Sequence, residues 1–110
     1  MTITLEERNA ALDRAKALIL QGWTQGALAR NEAGESIYED VSRRKEKGVC
    51  FCASGAVFVA EGEAFGPAWR ALRAVTIELC DAYPSNYNDV PGRTKYEVAA
   101  LFDHAKEQPL

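Results

Sequence analysis

No apolar run in this chain is long enough to cross a bilayer, which takes about 18 to 20 residues. The uncharged stretch Val49 to Ala60, VCFCASGAVFVA, falls well short of that and lies between the charged segments SRRKEKG and EGE. Histidine is down to one residue and cysteine to three. An odd cysteine count with no secretory context predicts reduced thiols in a cytoplasm rather than a disulfide framework. One residue separates Cys50 from Cys52, whereas zinc-binding pairs are two to four apart, so no metal or other cofactor is expected. The net charge is −3, with no basic stripe and no interleaved aromatics, which argues against a domain that tracks nucleic-acid phosphates. A glycine-rich phosphate loop and a paired-carboxylate motif are both missing. So are internal repeats and low-complexity tracts. No leader peptide is expected, since Glu6 and Glu7 follow almost at once.

What remains is an ordinary globular composition, 47% apolar and 26% charged over 110 residues, enough for one domain with one core. Thr4-Leu5-Glu6-Glu7 is a capping box and opens a helix over residues 4–22, with Leu5, Leu12, Ala15 and Ile19 on one face and Gly22 as its stop. Trp23 to Arg30 and Glu35 to Tyr38 flank the turn formers Asn31-Glu32-Ala33-Gly34, which predicts a short hairpin near residues 25–38. Residues 39–48 read as a solvated last helical turn or loop. Arg43, Arg44, Lys45 and Lys47 are basic there, but Glu39, Asp40 and Glu46 offset them.

The Val49 to Ala60 stretch reads as the buried centre, with a helix over residues 52–61 whose small residues admit close backbone neighbours. Pro67 suits the first turn of a helix over residues 67–82, where Trp69, Leu72, Val75, Leu79 and Tyr83 recur at helical spacing and Cys80 reads as a small core residue. Residues 84–93, PSNYNDVPGR, are dense in turn formers. Thr94-Lys95-Tyr96-Glu97 is a second capping box, opening a last helix with Val98, Leu101, Phe102 and Ala105 on its apolar face. The expected fold is mainly α, about four helices packed around the central apolar helix, with one small β-hairpin.

Two groups of residues could carry chemistry. Cys52 sits at a predicted helix start, where backbone N–H groups favour a thiolate. It would need a base, and His104 is the sole histidine. Asn86, Asn88 and Asp89 could orient that histidine and Gln25 could donate to an oxyanion, but the order of these residues is not that of the papain-like enzymes. A buried structural thiol is the plainer reading of Cys52. The second group is Asn88, Asp89 and Arg93, with an Asp89–Arg93 pair across the turn. It reads either as turn chemistry or, together with Trp23 and Gln25, as a polar pocket.

Three motifs stand in order along the chain: Trp23-Thr24-Gln25-Gly26-Ala27, Cys52-Ala53-Ser54-Gly55-Ala56, and Asn88-Asp89-Val90-Pro91-Gly92-Arg93-Thr94 followed by Glu97-Val98. In these the chain resembles a family of short proteins of unknown function from bacteria and their phages. It departs from the family pattern at Phe51, where tryptophan is usual, and in the charged segment before Val49. The resemblance implies that the motifs belong together, and it implies no activity. The expected function is a non-enzymatic binding module that meets a host or phage protein, or a small ligand, away from membranes. The alternatives are a cysteine-dependent hydrolase or transferase and a nucleic-acid accessory protein using the Arg43 to Lys47 cluster.

Overall fold

The computed structural model describes residues 3–110. In order along the chain these form α1 (Leu5–Gln21), β1 (Ala29–Arg30), α2 (Val41–Lys47), β2 (Cys50–Phe51), α3 (Ala53–Glu61), α4 (Pro67–Cys80), α5 (Pro84–Asn88) and α6 (Lys95–Ala105). The fold is mainly helical. Both expected capping boxes are formed, Thr4 with Glu7 and Thr94 with Glu97. Each satisfies two backbone donors that a helix start otherwise leaves open.

α3 is the centre. Every residue from Ala53 to Val59 is buried. α1 packs across it and against α6, and α4 closes the other side against α6. Leu12, Ala15 and Ile19 of α1 point into the core as their spacing predicts, whereas Leu5 at its first turn is exposed. Arg8 is buried among them. Its guanidinium donates to the carbonyls of Ala105, Lys106 and Gln108 at 3.3, 3.2 and 2.7 Å, so a cation closes the C-terminal end of α6.

Two stretches read as irregular are short helices. Asp40 accepts a bond from the Arg43 backbone at 2.9 Å and so caps α2. Pro84 stands at the first turn of α5, where its missing N–H costs nothing.

The hairpin expected near residues 25–38 is redistributed. The turn at residues 31–34 forms, and the chain folds back through a single bridge between Arg30 and Ser36. The antiparallel ladder, however, joins β1 to β2, with Ala29 opposite Phe51 and Arg30 opposite Cys50. Trp23 lies on the other side of β2, in a parallel bridge to Phe51. The residues just before α3 thus pair on both edges, which buries their backbone groups with partners.

Gly22 ends α1 with an extended backbone, so its role is not a left-handed cap. A Cβ there would overlap the Val49 carbonyl oxygen, and close approach is the reason for glycine. Asp81, in the left-handed conformation at φ 53°, ends α4 and turns the chain before Tyr83. Tyr83 is therefore not on the α4 face that its spacing suggested. Leu79 and Cys80 are exposed with the rest of the final turn of α4, where a core position was expected for both. No helix among the described residues is long and apolar enough to cross a membrane.

Candidate functional site

Four of the predicted site residues converge. Trp23 donates its indole N–H to Asn88 Oδ1 at 2.7 Å, and the same oxygen accepts from the Ala53 backbone at 3.0 Å. Asn88 Nδ2 donates to the Thr24 carbonyl at 3.0 Å and to Asp89 Oδ1 at 2.9 Å. Gln25 donates to the carbonyls of Asn88 and Val90, both at 3.0 Å, and Asp89 accepts from the Gly26 backbone at 3.1 Å. Asn88 has no solvent exposure. An asparagine side chain has two donors and one oxygen with two lone pairs, and here all four are used. The group is a knot that ties the start of α3, the segment after α1 and the end of α5. Most of its polar atoms are spent on one another, the exceptions being Gln25 Oε1 and the second carboxylate oxygen of the exposed Asp89.

Arg93 stays apart from the knot. It stacks on the Tyr87 ring at 3.7 Å, donates to the Tyr87 carbonyl and pairs with Glu97 at 3.3 Å. The pair expected with Asp89 is not formed, because that carboxylate faces Gly26 and Asn88.

Cys52 is the N-cap of α3, 3% exposed, with its sulfur accepting from the Gly55 backbone at 3.4 Å. Burial pushes its thiol up, with the Asp89 charge adding to that, against hydrogen bonds from Gly55, Ser54 and Ser85. His104 lies in the last turn of α6, exposed, 3.6 Å from Glu107, and makes no hydrogen bond to Cys52. The thiol has no cation and no histidine base beside it to favour the thiolate.

An alkylation test follows from this geometry. Cys80 is exposed and should react with iodoacetamide at neutral pH in the folded protein, while Cys52 should react only on unfolding. Mass mapping of labelled peptides reads this directly; fast labelling of Cys52 would refute it. The linkage sign is definite as well. A thiol held above its unfolded value contributes stability that is complete below about pH 8.5 and is lost as pH rises toward the folded value.

The basic cluster on α2 does not form one face. Arg44 turns inward and is buried, while Arg43 lies 3.4 Å and Lys47 3.6 Å from the Glu46 carboxylate.

A hollow missed by sequence reasoning opens on the other side of α3. Phe58, Phe65, Trp69 and Tyr83 wall a cavity of about 410 Å³ over a floor that includes Ser54 and Ser85. The Phe65 ring meets Phe58 edge-on at 5.0 Å and Trp69 at 4.9 Å, and Trp69 faces Tyr83 at 6.3 Å. Trp69 is fixed from below by its indole N–H, which donates to Ser54 Oγ at 3.1 Å. It is fixed from behind by Glu61, whose carboxylate accepts from the Ala68 and Trp69 backbones at 2.9 and 3.3 Å. Gly66, the N-cap of α4, has no side chain to do this.

Phe65 holds a left-handed backbone at φ 59° and is 60% exposed, and Tyr83 is 56% exposed. That conformation costs a non-glycine residue about 1 kcal/mol. The strain places a phenyl ring at the mouth of the groove rather than in the core. A second hollow of about 430 Å³ shares Tyr83 and Asn86 with this one. By contrast, the 470 Å³ hollow beside Asn31 and Lys47 is lined by charged side chains and loop backbone. The sequence did carry one signal: a tryptophan that is both core-facing and in need of an N–H acceptor sits opposite the only hydroxyl of the central stretch, Ser54.

The chain belongs to DUF6197, a family of unknown function, whose model matches residues 4–108. No curated protein and no solved structure matches the chain.

Proposed function

We propose that the chain is a non-enzymatic binding module that takes its ligand in the groove walled by Phe58, Phe65, Trp69 and Tyr83. One observation carries this reading: an aromatic-walled cavity of about 410 Å³ whose mouth is built by a strained, exposed phenylalanine. Small-molecule pockets run from about 300 to 1,000 Å³ and are mostly apolar with a few convergent polar groups. Phe65 packs edge-on against Phe58 and Trp69 yet stays mostly exposed, and a role at a binding mouth accounts for strain held at so exposed a ring. The Asn88 knot then acts as scaffold. It fixes the end of α5, and so holds Ser85 and Asn86 at the groove.

The three cysteines are all unpaired, which suits a reducing cytoplasm. A bacterial or phage setting, with a host protein as the source of the ligand, rests on the motif resemblance alone.

Anilinonaphthalene sulfonate is a suitable probe, since its emission rises when its rings leave water. Titration should saturate at one site per chain. Phe65→Ala should weaken binding about ten-fold, since it removes the ring at the mouth and with it one aromatic contact to the bound probe, worth about 0.5 to 1.5 kcal/mol. Phe65→Gly, which also relieves the left-handed backbone, should weaken binding as much while lowering the melting midpoint no more than Phe65→Ala does, since both lose the same ring contacts. Unchanged probe binding in both variants would rule the groove out.

A further inference from the structure

The groove contains one charged side chain, Arg73, and no carboxylate. The Arg73 guanidinium lies 5.4 Å from the centre of the Trp69 ring. Among the described residues no carboxylate lies within 4.0 Å of it, although every other ion pair on the surface is made by lysines, arginines or the histidine on other elements. Among the described residues it also finds no hydrogen-bond acceptor, unlike Arg70 one turn earlier, which is held by the Phe65 carbonyl at 3.1 Å.

The floor points the same way. Three donors meet there: the Trp69 indole N–H and the hydroxyls of Ser54 and Ser85. Trp69 and Ser85 both reach Ser54 Oγ, at 3.1 and 3.2 Å. Ser54 is nine-tenths buried and more, at 3% exposure. Two hydroxyl oxygens share one proton between them, so whichever way that bond runs, one O–H is left over. Where Ser85 holds that proton, it faces the Cys52 sulfur, a weak acceptor. Ser85 is part-buried and lines the groove, so an acceptor entering the groove would replace that weak bond with a stronger one.

From this we infer that the occupant is a small aromatic carboxylate, with its ring system in the hollow walled by Phe58, Phe65, Trp69 and Tyr83 and its carboxylate shared by Arg73 and the serine floor. The inference rests on the groove reading above and adds the chemistry of the ligand. Electron-rich rings also attract cations, and four of them would suit a quaternary ammonium. Here Arg73 already occupies the Trp69 face, so a second cation would meet like charge with no carboxylate to offset it. The adjoining hollow does hold Asp81, which lines it together with Ile77, Ala82, Tyr83 and Asn86. It is not among the residues that line the aromatic groove.

Three probes with one ring system and different heads separate the cases: naphthylacetate, naphthylacetamide and naphthylethylamine. Calorimetric titration should give naphthylacetate an affinity about ten-fold above the amide, the margin a charge-assisted bond adds over a neutral one. The amine should be weakest. Arg73→Gln should bring the acetate and the amide to equal affinity, and Arg73→Lys should restore part of the preference. If the three bind equally, or the amine binds best, or Arg73→Gln leaves the order unchanged, the carboxylate assignment is overturned and the groove reading stands. If none binds while anilinonaphthalene sulfonate also fails to bind, both fall together.

Discussion

Replacing Gly55 by alanine is expected to lower the melting midpoint by roughly 10 °C, which for a domain of this size corresponds to about 3 kcal/mol. The expectation runs against helix propensity, which favours alanine over glycine by about 1 kcal/mol inside a helix. Packing decides the sign. A Cβ on Gly55 would overlap the Leu28 carbonyl oxygen and come within 2.6 Å of its carbon. A backbone carbonyl cannot rotate away as a side chain can. Relief therefore requires α3 to move away from residue 28, and the Cys52 N–H to Leu28 carbonyl bond at 3.2 Å lies in that contact. Overpacking of a rigid site costs about 1 to 3 kcal/mol, and occasionally more. A midpoint at or above that of the parent would mean that the start of α3 is not closely packed against the segment leading into β1.

Asn88→Ala is expected to cost about 3 to 5 kcal/mol, a large share of the roughly 5 to 15 kcal/mol that holds a domain together. It strands the Trp23 indole N–H, the buried Ala53 backbone N–H and the Thr24 carbonyl at once. Each orphaned polar group costs about 1 to 3 kcal/mol, less where water can reach it, as it can at the part-buried Trp23 and Thr24 sites. In a Trp23→Phe background one orphan is already absent. There the cost of Asn88→Ala should shrink by about 1 kcal/mol, a coupling that urea unfolding of the four proteins would read. If Asn88→Ala costs under 1 kcal/mol, the knot is not what fixes α5.

What could be read from the sequence was local. The two capping boxes span four residues each, so Thr4 and Thr94 announce their helices without help from the rest of the chain. Helical periodicity placed Leu12, Ala15, Ile19, Val98, Leu101 and Phe102 in the core for the same reason. The misses at Arg8 and in the hairpin are set by distant partners. Arg8 is buried because carbonyls 97 to 100 positions away receive its guanidinium, and nothing near residue 8 signals that. The hairpin signal at residues 31–34 was real as a turn, but β2, about twenty residues further on, competes for the Ala29–Arg30 edge and takes the ladder.

The site residues divide along the same line. The sequence reading grouped Trp23, Gln25, Asn88, Asp89 and Arg93; the first four meet in space and Arg93 does not, and the sequence could not say that the donors and acceptors of those four would match one another. That match is a count of bonds across 35 to 65 positions. The groove was hidden for a related reason. Phe58, Trp69 and Tyr83 each look like core residues on their own segments. Only the left-handed turns at Phe65 and Asp81 bring Phe65 and Tyr83 to a common mouth.

The most direct test of the groove as the functional site is amide and indole shift mapping by NMR while naphthylacetate is titrated in. The largest changes should fall on Phe58, Phe65, the Trp69 indole, Arg73, Tyr83 and Ser85, with the Trp23 indole unmoved. Changes centred instead on Trp23, Gln25 and Asp89 would contradict the assignment and return the site to the Asn88 knot.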